Sequence, residues 1–146
     1  MKDLPESSDD YPGATATPRE ILELALAYAD AARSLLDAAG KDVPLSYAPA
    51  RLCAIHATEL FLNAFLRFEG TLPECIRARG HHLAYDHFSD ALRLKKKTAG
   101  HLVEMTDRRE YLLCRYAPDL TSHHTPLNRL RATLDEVEKK VTALIT

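Results

Sequence analysis

The sequence predicts an all-α fold, an up-and-down helical bundle of about five helices. Three observations carry this expectation. Apolar residues recur at the helical period along most of the chain, two Thr-Pro pairs stand where helices should open, and no segment alternates with the two-residue period of a strand.

Thr17 precedes Pro18, and Glu20 follows three residues after the threonine, which is the pattern of a capping box with proline at the first helical position. The helix that follows places Ile21, Leu24, Ala25, Tyr28, Ala32, Leu35, Leu36 and Ala39 on one face, with Gly40 as its stop. Residues 1–17 are rich in Asp, Ser, Pro and Gly without periodicity, so they read as a flexible arm and leave 18–146 as the bundle. A second helix is expected over 47–68, with Pro49 in its first turn and Gly70 at its end. It is apolar over most of its circumference, the mark of a central helix.

The segment 71–80 reads as a loop. A third helix is expected over about 82–98, with Tyr85, Phe88, Ala91 and Leu92 inward and Arg93, Lys95, Lys96 and Lys97 forming a solvated end. A fourth, over about 103–116, would bury Met105, Leu112, Leu113 and Tyr116 and stop before Pro118. His123 and His124 then read as exposed loop residues. Thr125 and Pro126 cap a fifth helix whose Leu127, Leu130, Leu134, Val137, Val141 and Leu144 form a heptad-like stripe, long enough to serve the core and a partner surface, and a homodimer is expected from it.

The chain has 146 residues, enough for one domain with one core, and its 46% hydrophobic content supplies that core without staples. With 19 basic and 21 acidic residues the formal charge is -2, which argues against binding nucleic acid by bulk phosphate neutralisation and leaves room only for a local basic patch. Cys53, Cys75 and Cys114 form no CxxC pair, so neither a disulfide framework nor a zinc knuckle is expected, and a reducing cytoplasm is the natural compartment. The first residues lack a basic and an apolar signal region, and no apolar run approaches membrane length, so no membrane association is expected. Glycine-rich phosphate loops are absent. No cofactor is implied.

Within the second helix, His56, Glu59, Asn63 and Arg67 fall within roughly 80° of one another, flanked by core residues. A carboxylate in that setting needs a partner, and the nearest in sequence are His81 and His82. These six residues form the candidate ligand-binding set. His56, Glu59 and the His pair could also converge on a metal, but His56-x-x-Glu59 reverses the Glu-x-x-His order of di-iron bundles and occurs once, so no metal is assigned.

The order of these features resembles the HEPN family, the helical bundle of higher eukaryotes and prokaryotes nucleotide-binding proteins. The resemblance rests on Tyr28, on His56, Glu59, Leu60, Leu62 and Ala64 in the second helix, on Gly70, on Gly80, His81 and Leu83, and on Tyr111, Arg115, Tyr116, Pro118 and Asp119, over residues 18–145. It implies a dimeric module that binds a nucleotide, RNA or a protein partner such as a nucleotidyltransferase or an antitoxin, in a toxin-antitoxin or related system. Asn63 stands where the family often has a lysine to pair with Glu59, and His82 where it has an aspartate. Ribonuclease members share an Arg-x4-6-His motif late in the chain. Arg77 and His82 match its spacing, yet Ala78 replaces the polar neighbour and the pair precedes the third helix, while Arg115 and His123 lie too far apart in sequence. The resemblance therefore implies a non-catalytic module, with a metal-independent ribonuclease using Arg77 and His82 as the alternative.

Overall fold

The computed structural model describes residues 11–145, and the part of the predicted arm before residue 11 lies outside them. Residues 11–16 form turns, with hydrogen bonds from the Ala14 N–H to the Tyr11 carbonyl (2.9 Å) and from the Ala16 N–H to the Gly13 carbonyl (3.1 Å). The described chain is all-helical: α1 (Pro18–Ala38), α2 (Ala48–Phe68), α3 (Pro73–Ala78), α4 (Asp86–Leu92), α5 (Lys96–Asp107), α6 (Glu110–Tyr116) and α7 (Leu127–Ile145), with 3-10 turns at Pro44–Tyr47 and Pro118–His123. No strand occurs among the described residues.

α1 opens with the capping box expected for it: the Glu20 N–H donates to Thr17 Oγ1 and the Thr17 N–H to Glu20 Oε1. Its buried face is Leu22, Ala25, Ala29, Ala32 and Leu36. α2 likewise buries a row of small residues, Ala50, Ala54, Ala57 and Ala64, and α1 packs chiefly on α2. Small side chains let two helix axes approach closely. The inner face therefore centres on the alanines, and Leu24 (50% exposed), Tyr28 (37%) and Leu35 (38%), expected inside, lie on its flank. Gly40 is not the stop either: the helix ends when Ala39 turns extended.

α2 is the central helix, packed between α1 and α7, and buries ten residues including Ile55, Phe61, Leu62, Phe65 and Leu66. It closes as the sequence requires, with Gly70 at φ +95 and the Thr71 N–H reaching back to the Leu66 carbonyl. The segment expected as a loop contains α3, a short helix begun by Pro73.

The third and fourth predicted helices are cut differently. Arg93 takes a left-handed conformation (φ 52), and both its N–H and that of Leu94 return to the Ser89 carbonyl, ending α4 where a continuous helix was expected. α7 fixes this break: Lys140 donates to the Arg93 carbonyl, and Glu136 accepts from the Lys95 N–H (2.8 Å) and from Thr98 Oγ1 (2.5 Å). The lysines thus stand at the start of a helix, where the dipole disfavours them, and Glu136 supplies the compensating negative charge. Arg109, also at φ 52, separates α5 from α6. Met105 is buried as expected, but Leu112 and Leu113 are half-buried and Tyr116 is 73% exposed, because the break turns α6 onto a new axis.

α7 buries Leu130, Leu134, Val137 and Val141 of the expected stripe together with Thr133, while Leu127 is half-buried and Leu144 is exposed. Arg33 ties α1 to α7 through Asp135 (2.7 Å) and Glu138 (3.0 Å). Among the described residues no helix is long and apolar enough to cross a membrane.

Candidate functional site

His56 and Glu59 project from one face of α2, and Gly80, at φ +59 just beyond α3, turns the chain so that His81 reaches them. Buried Leu83 anchors that segment, its N–H donating to Thr106 Oγ1. His81 Nδ1 lies 3.0 Å from Glu59 Oε1, and His56 Nδ1 lies 3.4 Å from Oε2, close enough for ionic attraction but outside hydrogen-bond geometry. Only 13% of the Glu59 side chain is exposed, so the carboxylate has the partner its setting demands. Tyr28 meets the His56 ring edge-on at 4.6 Å, and Tyr111 lies 4.6 Å from the His81 ring. A carboxylate only accepts, so the hydrogen bond runs from His81 Nδ1–H to Glu59 and orients the imidazole with Nε2 on the far side of the ring.

The other sequence candidates do not join this group. Arg67 donates to the Thr71 carbonyl (3.0 Å) at the end of α2, and Asn63 is half-buried with no side-chain hydrogen bond among the described residues. Arg77 lies over the Tyr11 ring (4.4 Å), and the exposed His82 side chain makes no hydrogen bond, ion pair or ring contact among the described residues. No interaction links Arg77 to His82. No group of three His, Cys, Asp or Glu side chains is placed to hold a metal among the described residues, and the three cysteines are free thiols.

Arg115 borders this crevice and, on its other side, a cleft of ≈ 180 Å³ between the first 3-10 turn, the start of α2, the end of α6 and the second 3-10 turn. Arg51, Arg115 and His124 line it, together with Tyr116, Thr121 and apolar residues, and no carboxylate does. Arg51 is half-buried, with NH1 on the Thr125 carbonyl (2.8 Å). Burial pulls its guanidinium below the ordinary value, opposed by Glu110 and Cys114. Arg115 is exposed and makes no hydrogen bond or ion pair among the described residues. His124, expected to be an exposed loop residue, is half-buried; burial, then Arg51 and His123, lower its pKa to about 4, and its buried Nδ1 has no hydrogen-bond partner. Sequence separation hid this cleft, since its groups come from α2, α6 and the loop before α7.

Beneath it runs a buried polar chain that the sequence did not reveal. Glu110, fully buried, accepts from both the N–H and the hydroxyl of Thr125. The Thr125 side chain, expected to cap α7, is turned inward instead. Since its hydroxyl proton is given to Glu110, His101 Nε2–H donates to Thr125 Oγ1 (2.7 Å), and His101 Nδ1 accepts from Thr133 Oγ1 (2.7 Å). Burial, then Arg129 and Arg51, lower the His101 pKa to about 4, in keeping with that neutral tautomer. Arg129 continues the chain to Thr98 and Glu136. Burial alone would raise the Glu136 pKa, but hydrogen bonds from Lys140, Thr98 and the Lys95 N–H hold it below the usual range. The chain locks α5, α6 and α7 together and fixes the wall of the cleft through Thr125.

No protein-family model, curated protein or solved structure matches this chain.

Proposed function

We propose that this chain is a HEPN-like module that binds a nucleotide or single-stranded RNA on the surface shared by α2 and α6, and does not cleave it. The observation that carries the reading is the cleft, in which two guanidiniums and an imidazole face a space lined by no carboxylate. Such a set suits phosphate, and the exposed ring of Tyr116 in its wall offers a face for a base to stack on. Past Arg115 the surface continues through His56, His81, Tyr111 and Tyr28. The reading includes a homodimer, as the resemblance implies, so light scattering should give twice the 16.3 kDa chain mass.

The test is fluorescence anisotropy of a labelled single-stranded oligoribonucleotide titrated with the full chain. Micromolar binding that weakens about tenfold or more in Arg115→Ala is expected, from the loss of a charge-assisted contact. Absence of saturable binding overturns the proposal.

One observation favours a second reading, a ribonuclease: Arg115 and His124 line the same cleft, which Arg77 and His82 do not. There Arg115 would stabilise phosphate charge and His124 would move the proton. A general acid works best with its pKa near the operating pH, and His124 at about 4 is neutral at pH 7, which is why binding is preferred over cleavage. Metal-free cleavage lost in His124→Ala would reverse that preference.

A further inference from the structure

We infer that the cleft of Arg51, Arg115 and His124 is selective for a terminal phosphomonoester, the phosphorylated end of an RNA or a nucleotide, over an internal phosphodiester. The inference deepens the binding reading above and rests on it.

Size comes first. At ≈ 180 Å³ the cleft is smaller than the roughly 300 Å³ at which pockets begin to enclose a whole small ligand, so it holds one end of a molecule. That end fits a phosphoryl group and its sugar, with the base left outside against Tyr116, a residue 73% exposed.

Donor count comes second. Two guanidiniums and an imidazole from three different segments line the space, with the Tyr116 and Thr121 hydroxyls beside them, and a terminal phosphate presents three unesterified oxygens to such a set where an internal diester presents two. Arg51 spends only NH1 on the Thr125 carbonyl and keeps its remaining donors. Arg115 spends none among the described residues. His124 lines the same space with an imidazole, whose ring N–H can donate.

Charge comes third. A phosphomonoester carries about -1.5 to -2 at pH 7, against a single charge on a diester, and two guanidiniums match the larger value. Glu110 offsets part of the Arg51 charge from the core side, but both of its oxygens are occupied by Thr125 and it does not line the cleft.

The experiment compares one single-stranded oligoribonucleotide in three forms, 5'-phosphorylated, 3'-phosphorylated and unphosphorylated, each titrated against the full chain, with adenosine monophosphate and inorganic phosphate as competitors. The expected result is about tenfold or more tighter binding of a phosphorylated end, the size of one added charge-assisted contact. The preference should vanish in Arg115→Ala, an exposed position, and shrink in Arg51→Lys, which keeps the charge but loses the guanidinium fork. Competition by adenosine monophosphate supports the inference and identifies a free nucleotide as a sufficient ligand; competition by phosphorylated oligonucleotide alone supports it for RNA ends. Equal affinity for all three forms overturns the inference while the binding reading stands. Failure of every form to bind overturns the binding reading itself.

Discussion

Glu110 is fully buried, and a single residue, Thr125, fills both of its oxygens through an amide and a hydroxyl. Removing the acceptor leaves those two donors in a dry site, so Glu110→Ala should cost about 3 kcal/mol in urea denaturation, with Glu110→Gln less damaging because an acceptor oxygen remains. Glu59→Ala touches a pair with a half-exposed imidazole and should cost about 1 kcal/mol or less. The reverse ranking would contradict this account. Glu59 was legible in the sequence because its helix is apolar all round, so a carboxylate there had to find a partner. Glu110 was not: among Arg108, Arg109 and Tyr111 it reads as a solvent-facing residue, and only the turn at Arg109 and a loop fifteen residues away bury it. His101 belongs to the same chain and gives it a pH dependence. Its folded pKa of about 4 lies below the ordinary 6.5, so between those values the unfolded chain binds more protons. Stability contributed by the neutral ring is full above pH 6.5, falls as pH drops, and is lost below 4, by up to about 3 kcal/mol. Chemical denaturation from pH 7 to 4 should show this slope flattened in His101→Gln.

A glycine or a cap marks some helix ends and not others, and the mark alone does not decide: Gly40 does not stop α1, and the Thr125 side chain binds Glu110 instead of capping α7. The capping box at Thr17 and the glycine closure at Gly70 appear where the sequence puts them, since both depend on local residue types. The breaks at Arg93 and Arg109 carry no such mark. A left-handed arginine is unfavourable on its own, and at Arg93 tertiary bonds from α7 hold it: Lys140 to its carbonyl and Glu136 at the start of α5. Arg93→Gly should relieve that conformational cost without losing a contact, because its exposed side chain makes no hydrogen bond or ion pair among the described residues. A gain of roughly 1 kcal/mol, or about 3 °C in Tm, is expected by calorimetry. A lower Tm would mean that the break is not strained.

Across the whole molecule, α2 joins the fold to the candidate sites, since it carries Arg51, His56 and Glu59 and packs against α1, both helices burying rows of alanine. Periodicity alone identified α2 as the central helix. It could not say which neighbour would approach closest, because large apolar residues on α1 suggested a face that the structure leaves on the flank. The positions that both helices bury are largely small, Ala29 and Ala54 among them, and both are fully buried. A larger residue at a fully buried alanine must displace what surrounds it. Ala29→Leu should therefore destabilise the chain by about 1–3 kcal/mol despite adding apolar surface. Leu24→Ala, on the half-exposed flank, should change stability by about 0.5 kcal/mol or less. Urea denaturation of the two variants decides between a seam set by alanine and one set by the large residues. If Leu24→Ala proves the more damaging, the flank carries the packing and the alanine rows do not.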